Sequence, residues 1–227
     1  MWNCLLMSDS YQSTAKSLFH NDIRRDEKKL WDATREGNAE GVREIVSQKM
    51  VNVNTLLGCR HSTPLCEAAG SGHKEVVLLL LDSGAEPDKG DLFDVTALLR
   101  AAKHGHTNVV KLLMDKGADP NAGDKYGWTP LNYAAMNGQT SVVKLLIDRG
   151  ADPNKPTVHP RMPLHWATQN GHEDVVQLLL DAGADHDKTD DSGRTPLDVA
   201  LHYGHKRIIR ILDPKRGQRK SCKCIIL

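Results

Sequence analysis

The C-terminal end of the chain carries residues with the type and spacing of a lipidation signal. Cys224 is followed by the aliphatic residues Ile225 and Ile226 and by the terminal Leu227. This arrangement is a C-a-a-X box, whose cysteine is prenylated, and leucine at the last position favours a geranylgeranyl group over a farnesyl group. The sequence therefore predicts that a protein prenyltransferase modifies Cys224.

Two further features of this tail would strengthen a membrane anchor. A single lipid chain gives only marginal, reversible attachment, so a stable anchor needs a second signal. Cys222 is a candidate for palmitoylation, and each basic residue contributes about 1 kcal/mol at an anionic cytoplasmic leaflet. We therefore expect peripheral attachment to the cytosolic leaflet of a membrane. The basic residues of the tail are Lys215, Arg216, Arg219, Lys220 and Lys223.

The other residues that could do chemistry form no complete site. Cys59, His61 and Cys66 lie close in sequence, but a structural zinc site needs four ligands and no fourth is evident. The chain has no GxxxxGK[ST], GxGxxG or HExxH motif. We therefore predict no enzyme activity, no cofactor, no metal site and no small-molecule substrate.

One interval separates recurring residues over most of the chain. Gly138 has counterparts at steps of 33 residues on both sides, and so do Ala134 and Leu131. Self-similarity at this period indicates a stacked repeat fold, in which a single copy cannot bury its apolar face alone. The glycines are Gly72, Gly105, Gly138, Gly171 and Gly204, and the leucines are Leu65, Leu98, Leu131, Leu164 and Leu197.

The central copy shows how each unit is expected to fold. Thr129 before Pro130 predicts a helix start, because the threonine hydroxyl can cap an amide and proline at the first helical position lacks one. Gly138 ends this helix, and the apolar segment 142–147 predicts a second one. The next stretch is rich in Gly, Pro, Asp and Asn, which favours an extended turn or hairpin, called a finger below.

These motifs resemble those of the ankyrin repeat family. Its TPLHxAA, GHxEVVKLLL and GADxN elements correspond here to TPLCEAA, GHKEVVLLLL and GADPN, with MPLHWAT in a later copy. The resemblance covers about residues 28 to 213 and implies an all-α solenoid of stacked helix-turn-helix units with hairpin fingers. About six units are expected, including a degenerate N-terminal cap. The resemblance also implies a non-catalytic scaffold that binds other proteins.

The resulting prediction divides the chain into three segments. Residues 1–27 form a flexible N-terminal segment, residues 28–213 the repeat domain, and residues 214–227 the basic lipidation tail. By resemblance to prenylated small GTPases, Cys224 would carry a thioether-linked isoprenoid after removal of the three residues that follow it.

The family resemblance assigns roles to two further groups of residues. Histidines such as His106 and His165 would form hydrogen bonds within and between repeats.

The finger tips and the inner face of the first helices would form a concave surface that binds a partner, and aromatic, Met and Arg residues there are typical interface anchors. Scattered exposed apolar residues are the alternative interpretation. The predicted partner-binding residues are Leu92, Phe93, Lys103, His104, Lys125, Tyr126, Trp128, Met136, Arg161, Arg194 and Tyr203. Tyr133 and Trp166 are assigned to the core between repeats.

Composition narrows the class of protein further. The formal net charge of +1 hides an asymmetry, since residues 1–213 hold 25 of the 30 basic residues against all 29 acidic ones. A nucleic-acid-binding domain should instead be basic, so we expect no nucleic-acid partner. Five cysteines without framework spacing fit a reducing compartment. No stretch has the length of a signal peptide or membrane span, so we predict a cytoplasmic monomer held at a membrane by lipid.

Three hypotheses of function follow. The first is a membrane-anchored adaptor, whose repeat stack binds a protein partner. The second is a soluble inhibitor or regulatory subunit that masks a partner's surface and has an unmodified C-terminus. The third is a pathogen effector that uses host prenylation. Lipid on Cys224 separates the first hypothesis from the second.

Overall fold

A computed structural model describes residues 25–48, 51–57, 61–158 and 160–215. This part of the chain contains twelve helices, and its only β-pairing is a single antiparallel bridge between Leu57 and Ser62. The all-α prediction is therefore confirmed. Residues 25–36 are helical and are called α1. The other helices are α2 (Ala39–Ser47), α3 (Pro64–Ser71), α4 (Lys74–Asp82), α5 (Ala97–His104), α6 (Thr107–Asp115), α7 (Pro130–Met136), α8 (Thr140–Asp148), α9 (Pro163–Gln169), α10 (Glu173–Asp181), α11 (Pro196–Tyr203) and α12 (Lys206–Leu212).

The helices form two layers. The inner helices α3, α5, α7, α9 and α11 pack against one another in chain order, and the outer helices α2, α4, α6, α8, α10 and α12 do the same. Each inner helix also packs against the outer helix that follows it. The core between the layers is aliphatic, with Leu131, Val143 and Leu146 fully buried in the central unit. Because each unit contacts only its neighbours, the stack is the solenoid that the 33-residue period predicts.

Threonine caps start four of the inner helices, as the sequence indicates. The hydroxyl oxygen of Thr129 accepts a hydrogen bond from the backbone N–H of Asn132, and Thr63, Thr96 and Thr195 cap in the same way. The remaining inner helix of this series, α9, has Met162 at this position, where no side-chain oxygen is present. Its side chain is buried instead, and the Met162 N–H donates to Nδ1 of His165.

Histidines bridge adjacent units. Nε2 of His106 lies 3.0 Å from the carbonyl oxygen of Gly70, and Nε2 of His172 lies 3.1 Å from that of Met136. Because a carbonyl oxygen only accepts, Nε2 must carry the proton in each pair. The His172 ring also covers Gly138, where the backbone has a φ of +67° that favours glycine. These histidines are structural, as the family resemblance implies.

The fingers are built on buried aspartates. Oδ1 of Asp124 accepts the backbone N–H groups of Tyr126 and Trp128, and Gly127 takes a φ of +74° to close the turn. The same pattern holds around Asp91 and Asp190. Neighbouring fingers are joined through the backbone, since the Lys125 N–H donates to the Phe93 carbonyl oxygen and the Val158 N–H donates to the Tyr126 carbonyl oxygen.

Several predicted features lie outside the described residues. They include most of the N-terminal segment 1–27 and most of the tail, with Cys222, Cys224, Arg216, Arg219, Lys220 and Lys223. The domain boundaries at 28 and 213 therefore stay predictions. Among the described helices, none has both the length and the apolar character needed to span a bilayer.

Candidate functional site

Three aromatic rings from two units meet on the exposed side of the inner helices. Trp128 ends a finger, Tyr133 lies on α7 and Trp166 lies on α9. The ring centres of Trp128 and Tyr133 are 5.1 Å apart, and those of Trp128 and Trp166 are 4.7 Å apart, both pairs tilted. Such tilted pairs are a favourable arrangement of aromatic quadrupoles. We call these three residues the aromatic cluster.

The assignment of Tyr133 and Trp166 to the core is wrong in part. Both residues are only half-buried and extend the surface that begins at Trp128. The Tyr133 hydroxyl donates to Oδ2 of Asp124 at 2.9 Å. Burial and then the charge of Asp124 raise the pKa of Tyr133, so the phenol stays protonated. This hydrogen bond holds the ring beside Trp128.

Cationic side chains lie over the aromatic ones. The Lys103 ammonium is 5.8 Å from the centre of the Tyr133 ring, and the Arg161 guanidinium carbon is 4.9 Å from that of Trp166. Lys125 is placed similarly over Phe93, at 5.9 Å. Distances below about 6 Å allow cation–π attraction, which orders these long side chains over the rings. Each of these three predicted cations therefore lies over an aromatic ring.

Arg161 and Arg194 share one buried carboxylate. Nη2 of Arg161 lies 3.2 Å and Nη2 of Arg194 lies 3.0 Å from Oδ2 of Asp190. Burial disfavours the charged form of Asp190, but hydrogen bonds from Arg194 and Ser192 outweigh it and lower the pKa of Asp190 to about 2. Both arginines are therefore held against the finger that contains Asp190. Their side chains are half-buried, so a partner could contact only part of each one.

The finger tips carry a row of apolar side chains. Leu92 and Phe93 are 46% and 45% exposed, Tyr126 is 54% exposed and Val158 is 67% exposed. They come from three successive fingers that are hydrogen-bonded to one another, so they form one row, called the apolar ridge. A contiguous exposed apolar patch marks a site of interaction more often than scattered apolar residues do.

The remaining predicted residues lie around this region or beyond it. His104 is exposed, at the end of α5, and Met136 is half-buried, at the end of α7. The Met136 carbonyl oxygen accepts hydrogen bonds from Asn170 and His172, which fixes its backbone. Tyr203 is exposed in the last unit, where its ring stacks on His205 and meets the edge of His202. It is therefore engaged within its own unit.

The described residues contain no group of three or more His, Cys, Asp or Glu placed to hold a metal ion. Cys66 is buried and its thiol contacts the carbonyl oxygens of Lys89 and Val95. Burial raises the pKa of Cys66 to about 11, so the reactive thiolate is not formed near neutral pH.

Comparison with known protein families agrees with this architecture. The family model described as ankyrin repeats (3 copies) matches residues 5–91, 87–157 and 155–223, which is well over half of the chain. Repeats of this kind serve as protein–protein interaction modules and are typically non-enzymatic. From the matched segments and the paired helices with their fingers, we conclude that the chain belongs to the ankyrin repeat family.

Proposed function

We propose that this protein is an adaptor that binds a protein partner through the aromatic cluster and the apolar ridge, and that a lipidated C-terminus holds it at the cytosolic face of a membrane. The proposal assigns it no catalytic activity. The observation that carries the binding part is the continuity of the aromatic cluster, in which Trp128 contacts both Tyr133 and Trp166.

The aromatic side chains of this surface and their fixed orientation support binding of another protein. Rigid aromatic side chains contribute most of the affinity at protein interfaces, because they bury a large area at a small cost in side-chain entropy. Hydrogen bonding to Asp124 orients Tyr133, and ring contacts orient Trp128. The cluster is therefore organised before a partner arrives, which lowers the entropy cost of binding.

Replacing Trp128 and Tyr126 together by alanine tests the binding surface. A partner would first be captured with the chain lacking its tail and identified, and its affinity would then be measured by calorimetry. We expect the double substitution to weaken binding by about 2 kcal/mol or more if these residues are central anchors. Leu78→Ala is a matched control, since Leu78 is 37% exposed on outer helix α4. Equal affinity of the double variant and the unaltered protein would place the binding surface elsewhere.

The membrane part of the proposal rests on the sequence of the tail. A C-a-a-X box ends the chain at Leu227, and basic residues precede it. A prenyl group alone attaches a protein only marginally, so we assign the second signal to Cys222 and the basic residues together. Their combined effect would hold the repeat stack close to an anionic leaflet.

Fractionation and intact mass test this anchor. We expect Cys224→Ser to move the protein wholly to the soluble fraction, whereas Cys222→Ser should weaken attachment only in part. Protein from prenylation-competent cells should have lost Ile225, Ile226 and Leu227 and gained the mass of an isoprenoid. If these three residues are retained and no lipid mass is added, the anchor does not exist and the soluble-regulator hypothesis replaces the adaptor.

A further inference from the structure

A groove of about 660 Å³ lies at the N-terminal end of the stack, between α1 and the finger that follows α2. Trp31 of α1 and Leu56 and Leu57 of the finger supply its apolar side chains. Leu56 is 40% exposed, and Trp31 and Leu57 are half-buried. The other lining residues are Glu27, Lys28, Asp32 and Thr55. We call this feature the N-terminal groove.

The groove contains a position that is buried in the following units. Gly37 ends α1 as Gly72 ends α3, so an interval of 35 residues aligns the first unit with the second. Trp31 is therefore in register with Cys66, whose thiol contacts carbonyl oxygens of the next finger. In the units with a neighbour on both sides this position is at most 2% exposed, and its residues are Cys66, Leu99, Asn132 and His165. The half-buried Trp31 lacks part of this cover.

The difference between the first unit and the later ones is the finger that precedes each later inner helix. Residues 61–62 end such a finger, whereas residues 26–27, in register with them, are already helical. Within the described residues, no finger therefore precedes α1. Later fingers are joined to the preceding finger, for example by the hydrogen bond from the Lys125 N–H to the Phe93 carbonyl oxygen. The finger that contains Leu56 has no such preceding neighbour.

An apolar groove at the end of a repeat stack indicates that something covers it. Terminal units of such folds carry a polar outer face, because no further unit packs on them. Trp31, Leu56 and Leu57 depart from this rule. A patch of exposed apolar side chains at one place is typical of a surface that receives another segment.

The segment before α1 has a pattern that fits this groove. Its apolar residues follow the spacing i, i+4, i+7 and i+8, which places them on one face of a helix. These residues are Tyr11, Ala15, Leu18 and Phe19. The intervening residues are polar, and Lys16 is the only charged one. Its charge is opposite to that of the groove lining, where Glu27 and Asp32 outnumber Lys28 by two to one.

The position of this segment in the chain also favours the groove. Five residues separate Phe19 from Arg25, where α1 begins. An extended connection of that length spans about 20 Å, which is enough for the chain to fold back along the first turns of α1. Glu27 and Lys28 belong both to the start of α1 and to the groove, so the connection ends at the groove itself. A tethered segment binds at a high effective concentration, which an unattached partner lacks.

We propose that residues 11–19 form a short helix that occupies the N-terminal groove of the same molecule. Tyr11, Leu18 and Phe19 then contact Trp31 and Leu56, and the segment takes the place of the missing finger. For residues 11–19 this proposal replaces the prediction of a flexible segment. It does not depend on the proposed adaptor function.

Disulfide trapping in the full-length chain tests the proposal. Phe19→Cys is combined with Leu56→Cys, while the buried Cys66 is kept. The other cysteines, Cys4, Cys59, Cys222 and Cys224, are replaced by serine. Phe19→Cys with Leu78→Cys is the matched control, since Leu78 is 37% exposed on outer helix α4. We expect the first pair to form an intramolecular disulfide about tenfold faster, because docking raises the effective concentration of the two thiols.

Hydrogen–deuterium exchange gives a second test that needs no added cysteine. We expect Leu18→Ser with Phe19→Ser to make the amides of residues 25–32 exchange about tenfold faster, since burial of one apolar side chain contributes enough free energy for such a factor. Ser13→Gln with Ser17→Gln is the matched control, because these residues lie on the opposite face of the predicted helix. This control should leave the exchange of α1 unchanged.

The outcomes separate the occupants of the groove. Disulfide-linked dimers, formed in proportion to protein concentration, would show that a second copy fills the groove and would overturn the proposal. Equal rates for the Leu56→Cys and Leu78→Cys pairs would also overturn it, and so would unchanged exchange of α1 in the variant with both serines. Circular dichroism checks each variant, and if a cysteine pair does not fold, the exchange measurement decides.

Discussion

Asp88 occupies a finger position where three other units carry asparagine. Nδ2 of Asn121 donates to the carbonyl oxygen of Gly150 at 3.0 Å, while its Oδ1 accepts the N–H of Asp152 at 2.8 Å. Asn54 and Asn154 make the same two bonds to the units that follow them. These asparagines therefore connect each finger to the end of the next outer helix.

Asp88 can make only half of this connection. Its carboxylate accepts the N–H of Asp119 at 3.1 Å, but it has no amide hydrogen to donate to the Gly117 carbonyl oxygen. Partial burial raises the pKa of Asp88 above its usual value, the hydrogen bond from Asp119 opposes this shift, and the charge of Asp119 adds to it. The ionised carboxylate is therefore less favourable in the folded protein than in the unfolded chain.

We expect Asp88→Asn to stabilise the protein at neutral pH. A net hydrogen bond contributes about 0.5 to 1.5 kcal/mol, and the exposure of this position favours the lower part of that range. A gain of about 0.5 to 1 kcal/mol corresponds to an increase in Tm of roughly 1 to 4 °C for a chain of this length. The denaturant midpoint should rise in proportion.

The pH dependence of this gain gives a second check. The folded pKa of Asp88 is raised, so the penalty of its ionised form is complete above that pKa and disappears as pH falls through it. The advantage of asparagine should therefore be largest at pH 7 and shrink towards pH 4. Urea unfolding followed by circular dichroism at a series of pH values measures both quantities.

Asn121→Asp is the reciprocal control. It removes the donor to Gly150, so it should destabilise the protein by a similar amount. An Asp88→Asn variant that is no more stable than the unaltered protein at pH 7 would refute the reasoning. A gain that is the same at every pH would show that the carboxylate charge has no part in it.

Four more substitutions test the packing between and within units. Gly138→Ala should destabilise the protein by about 2 kcal/mol, because the backbone there has a φ of +67° and the new Cβ would lie 2.7 Å from the His172 ring. Gly150→Ala should cost less, since its φ is +86° but no atom lies within 4 Å of a Cβ there. Thr129→Ala should lose about 1 kcal/mol of stability with the α7 cap. Burial lowers the pKa of His165, so stability should be complete above pH 6.5 and fall as the pH drops towards the folded pKa; His165→Asn should weaken this dependence.

Chemical denaturation at matched pH measures all of these effects. Equal losses for the two glycine substitutions would show that the His172 ring moves aside without cost. An unchanged midpoint for Thr129→Ala would mean that another group caps α7. If His165→Asn and the unaltered protein lose the same stability below pH 6.5, other histidines cause the acid sensitivity.

The sequence by itself determined the architecture. A residue that recurs every 33 positions must lie in the same place in every unit, because each unit contacts only its two neighbours. Uniform positions such as Leu131 are therefore buried, and Thr129 and Gly138 lie at helix ends, as predicted. The histidine bridges between units were predicted from the family resemblance. They recur because each of these histidines lies at the same position of its unit.

The sequence also contained a signal that the core assignment of Tyr133 and Trp166 overlooked. The same register position is Glu67, Arg100 and Val199 in other copies, so its residue type differs from copy to copy. Variation alone does not separate surface from core, because the next register position holds Cys66, Leu99, Asn132 and His165, and all four are buried. The signal is the charge at this position in two copies, Glu67 and Arg100, which indicates access to solvent. The structure has Tyr133 and Trp166 half-buried.

Only the tertiary structure decided which of the variable side chains meet. The spacing of Trp128 and Trp166 along the chain does not specify their contact, because it depends on side-chain rotamers and on how closely two units approach. The cavity of about 270 Å³ between α3 and α5 has the same origin, since the space beside Gly70 becomes a cavity only when α5 packs against α3. Periodicity specifies the register of the units, whereas the packing of one unit on the next creates the surface that a partner would contact.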